Sequence, residues 1–264
     1  MIVAIIQARM TSTRLPGKIM LKACDQTFLA HMIERVKHSK TLDKIVIATT
    51  INKTDDIIEN FCKEHDVFCY RGSEKDLLDR YKMAADAVSA DIVVRLTSDT
   101  PLMDPTVIDK IVKVYQNNNY DLVSNNLPLP RTYPDGMNVE VFSHNILNEI
   151  HKEAKKFSDR EHVTFFIAMH PDRYKVYRVD YEKNISQYRF NLDYPEDYIF
   201  LKSVFEGMYN LNPFFTMEDT IDWLGEHPEI LKLNAHIKPN LGILKSFEED
   251  RNLGFDNSSK EFFG

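Results

Sequence analysis

The sequence predicts an α/β fold with a mixed, mostly parallel sheet. Two observations in its first half carry this: short, nearly continuous apolar runs rich in β-branched residues, and amphipathic stretches of helical period between them. The runs fall at residues 3–6, 44–49, 67–70 and 91–96, each short enough for a strand and apolar enough to be covered on both faces. Residues 27–37 (TFLAHMIERVK), 55–65 (DDIIENFCKEH) and 74–88 read as the helices between them, and 105–116 as the helix after the fourth strand. Strand and helix in alternation build βαβ units, which place strand ends and their loops on one edge of the sheet.

The second half changes character. Residues 121–124 and 137–142 read as strands flanking a polar loop, NNLPLPRTYPDG. Helical periods follow at 145–155 and 160–169, strands at 174–179 and 189–192, and helices at 196–209 and 217–224. No internal repeat, low-complexity tract or linker divides the chain, so 1–264 reads as one domain.

Composition bounds the function. Hydrophobic residues at 43% and charged residues at 28% describe an ordinary soluble protein, and a net charge of −7 argues against a general nucleic-acid binder. No apolar stretch approaches the ~20 residues of a membrane-spanning helix. The N-terminus, MIVAIIQARM, lacks the basic segment and small-residue cleavage site of a signal peptide and reads as a strand. Cys24, Cys62 and Cys69 are odd in number and lack the close pairing of a zinc or redox motif, which fits a reducing cytoplasm. The sequons at Asn184 and Asn257 are then chance matches.

Three segments carry chemistry. IIQARMTSTRLPGK, residues 5–18, begins as a strand and then gathers Arg9, Arg14 and Lys18 among hydroxyl side chains and a Pro-Gly pair. Ligands of parallel α/β sheets bind beyond the carboxyl ends of strands, so this segment stands where backbone N–H groups and cations can wrap a polyphosphate. It is neither a Walker A loop nor a dinucleotide fingerprint. Taken alone, its residues equally describe a solvated basic loop closed by a turn. RLTSDTPLMDP, residues 95–105, ends the fourth strand with Asp99, whose carboxylate can reach a metal in the crevice; Asp104, directly before Pro105, reads as a helix N-cap. RFNLDYPEDY, residues 189–198, puts Asp193 at another strand end, with Glu196 and Asp197 in a helix's first turn, where acidic residues are favoured. Hard carboxylate oxygens, with the nine histidines scattered, suit Mg²⁺ rather than a softer metal.

QARMTSTRLPGK resembles the signature of the cytidylyltransferases that make CMP-activated sugars, a group including the CMP-Kdo and CMP-sialic acid synthetases and the spore-coat polysaccharide biosynthesis proteins of type F. The family pattern, approximately A-R-x-x-S-T-R-L-P-G-K, is matched at Ala8, Arg9, Ser12, Thr13, Arg14, Leu15, Pro16, Gly17 and Lys18. The resemblance implies a three-layer Rossmann-like nucleotidyltransferase (nucleotide-diphospho-sugar transferase) fold. It also implies a nucleotide-binding part over about 1–125 and acceptor-binding and dimerisation elements over about 126–264. Arg9, Arg14 and Lys18 would hold the triphosphate of CTP, with Ala8, Ser12 and Thr13 beside it. Segment 95–105 is similar to the family's L-x-G-D-x-P-L-x-D-P, which makes Asp99 a Mg²⁺ ligand and puts Ser98 where glycine is usual. A V-D-x-x-E-D-like segment makes Asp193 the second ligand.

YRGSEKDLLDRY, residues 70–81, resembles R-G-S-x-x-D-V-L-x-R-Y, which implies Gly72 and Ser73 against the cytidine with Asp79 and Arg80 nearby. As bare residues, Asp79 and Arg80 equally read as an exposed ion pair or a buried structural arginine. RTYPDGMNVEVF and SDREHVTFF imply the acceptor side: Arg131, Tyr133, Asp135, Asn138, Glu140, Arg160 and His162. Asn138 stands where relatives often carry Asp, and Phe165 where Pro is common.

The expected function is Mg²⁺-dependent transfer of CMP from CTP to an acidic sugar or phosphorylated small acceptor, with pyrophosphate released. The alternatives are a nucleotide-sugar-dependent glycosyltransferase, whose D-x-D metal motif this chain lacks, and a catalytically silent nucleotide-binding protein, which Ser98 and Asn138 would allow. Expected partners are CTP and the acceptor, with no nucleic acid and no membrane. HPEILKLNAHIKPNLG, residues 227–242, suits a homodimer interface or core packing alike.

Overall fold

In the computed structural model, which describes residues 1–238 and 241–255, the described residues form nine strands. In chain order these are β1 (Ile2–Gln7), β2 (Lys22–Ala23), β3 (Gln26–Thr27), β4 (Lys44–Thr50), β5 (Phe68–Gly72), β6 (Ile92–Thr97), β7 (Leu122–Ser124), β8 (Glu140–Ser143) and β9 (Val176–Arg178). The helices are α1 (Phe28–Val36), α2 (Asp56–Glu64), α3 (Leu77–Ala87), α4 (Pro105–Gln116), α5 (His144–Glu153), α6 (Phe157–His162), α7 (Phe165–Ala168), α8 (Pro195–Met208), α9 (Met217–Glu226), α10 (Pro228–Leu231) and α11 (Leu241–Asn252). None is long and apolar enough to cross a membrane. Asn257 and two residues of the 227–242 stretch, Pro239 and Asn240, lie outside the described residues.

Seven strands make one sheet in the order β5-β4-β1-β6-β8-β7-β9. The strands β5, β4, β1 and β6 run parallel, as their two-sided apolar character requires, while β8 pairs antiparallel with both β6 and β7. Alternation along β1 divides the core: Ile2, Ala4 and Ile6 face α1, α2, α4, α8 and α9, whereas Val3 and Ile5 face α3, α5 and α7. The fold is α/β with a mostly parallel mixed sheet and helices on both faces.

Local sequence chemistry starts the helices. Thr27, Asp76 and Ser143 accept backbone N–H bonds at the N-termini of α1, α3 and α5. Asp104 caps α4 through the Thr106 N–H at 2.8 Å, ahead of Pro105 at N1, and its other oxygen accepts the Met217 N–H at 2.7 Å. The hairpin of β2 and β3, which the apolar pattern does not mark, turns on Cys24 and Asp25, both at positive φ (48° and 62°).

Three expectations change. The strand expected at 137–142 begins only at Glu140, because Asn125 clamps the preceding backbone: its Nδ2 donates to the Met137 carbonyl at 2.6 Å and its Oδ1 accepts from Val139 N–H at 2.8 Å. The helix expected at 160–169 breaks into α6 and α7 at Val163, whose φ of 56° a β-branched residue rarely adopts. Residues 189–192 form no ladder strand, only one parallel bridge between Asp135 and Arg189. Their backbone is pinned instead on two sides. Phe190 N–H donates to the Asp135 carbonyl, and Leu192 N–H to the Asp99 carbonyl at 2.8 Å. Gly136 makes this approach possible: with φ at 101°, a Cβ there would lie 2.7 Å from the Phe190 carbonyl carbon.

Candidate active site

The loop after β1 is a closed structure. Gly17 N–H donates back to the Met10 carbonyl at 2.9 Å, with Gly17 at a φ of 68°, and Met10 N–H donates to the buried Asp55 carboxylate at 2.8 Å. This fold-back places Lys18 at the start of a short 3₁₀ turn and buries its stem, so that its ammonium points under the loop. Arg9 and Thr13 remain exposed.

Two carboxylates converge on Lys18 from distant parts of the chain. Its Nζ lies 2.7 Å from Asp99 Oδ2, just past β6, and 2.8 Å from Asp193 Oδ1, just before α8. Arg14 adds a second cation at 2.7 Å from Asp193. Burial opposes the charge of Asp193, yet Lys18 and Arg14 hold its carboxyl well below the usual carboxylate range. Burial likewise opposes the Lys18 ammonium, and the two aspartates keep it charged.

Arg189 and Asp197 brace this centre from behind. The Arg189 guanidinium forks onto Asp197 at 2.9 and 2.8 Å and reaches Asp135 at 3.4 Å. Asp197 Oδ2 accepts the N–H groups of Asp193 and Tyr194, fixing the turn that presents Asp193. Asn234 completes the support, donating to Asp197 Oδ1 at 3.0 Å.

Two cavities meet at this point. A cavity of about 150 Å³ is bounded by the opening loop (Ala8, Arg9, Ser12, Thr13, Arg14, Lys18) and by Arg80, Ser98, Asp99 and Asp193. The second, of about 340 Å³, has Arg131, Asp135, Asn138, Glu140 and His162 among its walls. In the larger one, Glu140 Oε2 accepts from Arg95 at 2.7 Å and from Thr164 at 2.6 Å, so the hydroxyl just after the Val163 break locks the glutamate. Among the described residues, Asn138 Oδ1 has no hydrogen-bond partner. His162 shares a 2.9 Å hydrogen bond with Ser246, and burial beside the Arg95 charge pushes its imidazole down to about 4, so it is neutral at pH 7.

Five residues expected at or near the site stand elsewhere. Tyr133 is 1% exposed, edge-on to Tyr181 in the apolar core, and lines neither of the two cavities. Arg160 is tied to Asp76 at 2.7 Å and to the carbonyls of His151 and Ala154, a staple between α6 and the start of α3. Gly72 and Ser73 line neither cavity: they support Arg80, whose Nη1 donates to the Ser73 carbonyl at 3.0 Å. A Cβ at Gly72 would stand 2.8 Å from Tyr70 Cε1 and 3.2 Å from Arg80 Cγ, which explains the glycine as packing room. Asp79 turns away to His151, at 2.9 Å.

Sequence reasoning missed Gln7, Arg95, Glu161 and Arg189, all on the walls of the larger cavity. For Arg189 a signal existed: it stands four residues before Asp193, with Asp197 four residues after, a charge alternation around the metal candidate. Gln7 and Arg95 gave none, because strand residues at a sheet's carboxyl edge look like any others in sequence.

Asp99 and Asp193 form a donor set fit for Mg²⁺: two hard carboxylates reaching one point where positive charge is favoured. Among the described residues no cluster of three or more His, Cys, Asp or Glu competes as a metal cage, so phosphate oxygens and water would complete the coordination.

The family model described as cytidylyltransferase matches residues 3–220. An uncharacterised protein of Methanocaldococcus jannaschii is 37% identical over 243 residues, covering 90% of this chain and 96% of its own. Spore coat polysaccharide biosynthesis protein SpsF of Bacillus subtilis is 33% identical over 237 residues, covering 86% and 95%. A solved cytidylyltransferase structure from Leptospira borgpetersenii superposes with a TM-score of 0.83 at 35% identity, covering 88% of this chain and 96% of that one. The chain belongs to the cytidylyltransferase family and is a CTP-dependent nucleotidyltransferase.

Proposed function

We propose that the protein transfers CMP from CTP to a small acidic or phosphorylated acceptor in surface-glycan biosynthesis, with Mg²⁺ held by Asp99 and Asp193. The observation that carries this reading is the convergence of Asp99, Asp193, Lys18 and Arg14 where the two cavities meet. The smaller cavity, walled by Arg9, Ser12, Thr13, Arg14, Lys18 and Arg80, takes the triphosphate, and the larger takes the acceptor. Bound Mg²⁺ would offset charge on the phosphate oxygens and on the departing pyrophosphate. Lys18 and Arg14 neutralise the same region, and Arg189 with Asp197 keeps Asp193 in place. Such chemistry depends on positioning and charge stabilisation, so no covalent nucleophile is needed. SpsF is by name a polysaccharide biosynthesis protein, which supports the glycan context. A cytoplasmic homodimer belongs to the same reading and is checked by sedimentation of the full chain.

The test is pyrophosphate release from CTP and Mg²⁺ across acidic sugars and phosphorylated small alcohols. Release that needs both CTP and one acceptor class supports the reading. A glycosyltransferase would release a nucleotide rather than pyrophosphate, and a silent binding protein would release neither; either result overturns it.

A further inference from the structure

Six residues line both cavities and so mark where nucleotide and acceptor meet: Gln7, Arg14, Thr97, Asp99, Glu161 and Asp193. Three of them are carboxylates, and their circumstances differ. Asp99 and Asp193 are engaged by Lys18 and Arg14. The Glu161 carboxylate forms no hydrogen bond or salt bridge with any described residue. It sits in the last turn of α6, two residues before Val163 at its φ of 56°, so a strained break in the chain ends the helix at the cavity junction.

We propose that Glu161 is the general base of the transfer, taking the proton from an acceptor hydroxyl as that oxygen attacks the α-phosphorus. The assignment rests on the cytidylyl-transfer reading above and narrows the acceptor's attacking group to a hydroxyl. In the step, the acceptor O–H bond breaks and its proton passes to a Glu161 carboxylate oxygen. A bond forms between the acceptor oxygen and the α-phosphorus. The bond from that phosphorus to the oxygen bridging to the β-phosphate breaks, its electron pair leaving on pyrophosphate. Glu161 then gives the proton to solvent. No oxidant or further reactant is involved.

The other candidate bases in the larger cavity suit this role less well. His162 is neutral and a weak base, and it already shares a hydrogen bond with Ser246. Glu140 is spent on Arg95 and Thr164, both of which hold one of its oxygens. Charged groups face Glu161 from several elements: Arg9 from the opening loop, Arg80 from α3, Arg95 from β6 and Asp76 ahead of α3. Arg14, Asp99, Asp193 and His162 share its cavity walls. Burial raises the Glu161 carboxyl above the ordinary glutamate value, and the three arginines pull it back, which leaves a stronger base than a free carboxylate.

Glycerol at high concentration and water serve as hydroxyl probes with CTP and Mg²⁺, and phosphorus NMR reads CMP esters and CMP. Calorimetry with α,β-methylene-CTP reports nucleotide binding separately. Glu161→Gln is expected to lower kcat by about 100-fold or more while the analogue Kd stays within about twofold. The variant also loses the acid limb of the wild-type kcat profile, and Glu161→Asp restores that limb at a reduced rate. Identical pH profiles for wild type and Glu161→Gln overturn the assignment. So does a rate loss matched by an equal loss of analogue affinity, or a wild type that binds the analogue and turns over neither probe. A wild type that binds no analogue overturns the nucleotide reading itself, and this assignment with it.

Discussion

The two cavities share a wall and differ in how the chain builds them. The smaller takes its largest single share from one contiguous segment, residues 8–18, folded back on itself by Gly17 and anchored by Asp55. The larger is collected from the ends of β1, β6 and β8, the polar loop before β8, α6 and the stretch leading into α8. A contiguous cradle tolerates change elsewhere in the fold, because its geometry is set locally. A collected cavity depends on every element that delivers a residue, and its buried ion pairs carry structural weight as well as recognition.

Substitutions can break or sharpen this contrast. The largest effect is expected where both cavities meet: Asp193→Ala should cut pyrophosphate release by about 10³-fold, near 4 kcal/mol of barrier, with the circular dichroism spectrum retained. Turnover close to wild type would remove Asp193 from the metal assignment. In the collected cavity the expected loss is in stability. Glu140→Gln leaves the Arg95 guanidinium, whose side chain is 12% exposed, without its counter-ion. The cost is on the order of 3 kcal/mol, or roughly 10 °C in Tm. A comparable fall for Arg9→Ala, on the contiguous cradle, would erase the distinction between the regions.

A smaller effect separates two titrating groups on α6. Burial, with the Asp250 carboxylate adding to it, pushes the Asp159 carboxyl up to about 6 from an ordinary value of 3.8. The native state therefore holds that proton more tightly than the unfolded chain, and this contribution to stability is lost as pH rises from about 4 to about 6. His162 works in the opposite sense. Its imidazole, held down to about 4 from 6.5, resists the proton that the unfolded chain accepts, so stability is lost as pH falls through that window. The two slopes offset each other in the wild type. Asp159→Asn should uncover the histidine slope, a loss on the order of 2 kcal/mol toward acid, read as Tm against pH. Parallel curves for variant and wild type would discard the pairing. The smallest change is expected at Tyr133: Tyr133→Phe should move stability by less than about 0.5 kcal/mol and leave the acceptor KM alone, since the ring is core. A raised KM would return it to the acceptor wall.

The contrast also governs what the sequence discloses. The parallel strands and their helices were legible because two-sided burial writes continuous apolar runs, and the cradle was legible because its residues are neighbours in the chain. Asp99 was legible as an acidic residue at a strand end, and Asp193 as one just ahead of a helix, although the strand expected before it does not form. Their meeting on Lys18 was not, since it depends on Leu192 N–H finding the Asp99 carbonyl. Arg160 and Glu161 are adjacent in sequence and face different tasks, one stapling α3 and the other reaching the junction, because helical geometry turns successive side chains apart. Gly136 shows the same limit from the other side: its turn is visible, but the backbone that passes within reach of it is not.

The meeting of Asp99 and Asp193 across 93 intervening positions bears on synthesis. A ribosome delivers the opening loop and the first carboxylate early, while the parallel half of the sheet is still being completed. The second carboxylate emerges only after residues 134–136 have set the turn on which its own segment docks. The opening loop is therefore present for much of translation, whereas the proposed metal pair is complete only once residue 193 has emerged, so a chain truncated before it lacks half of that proposed pair.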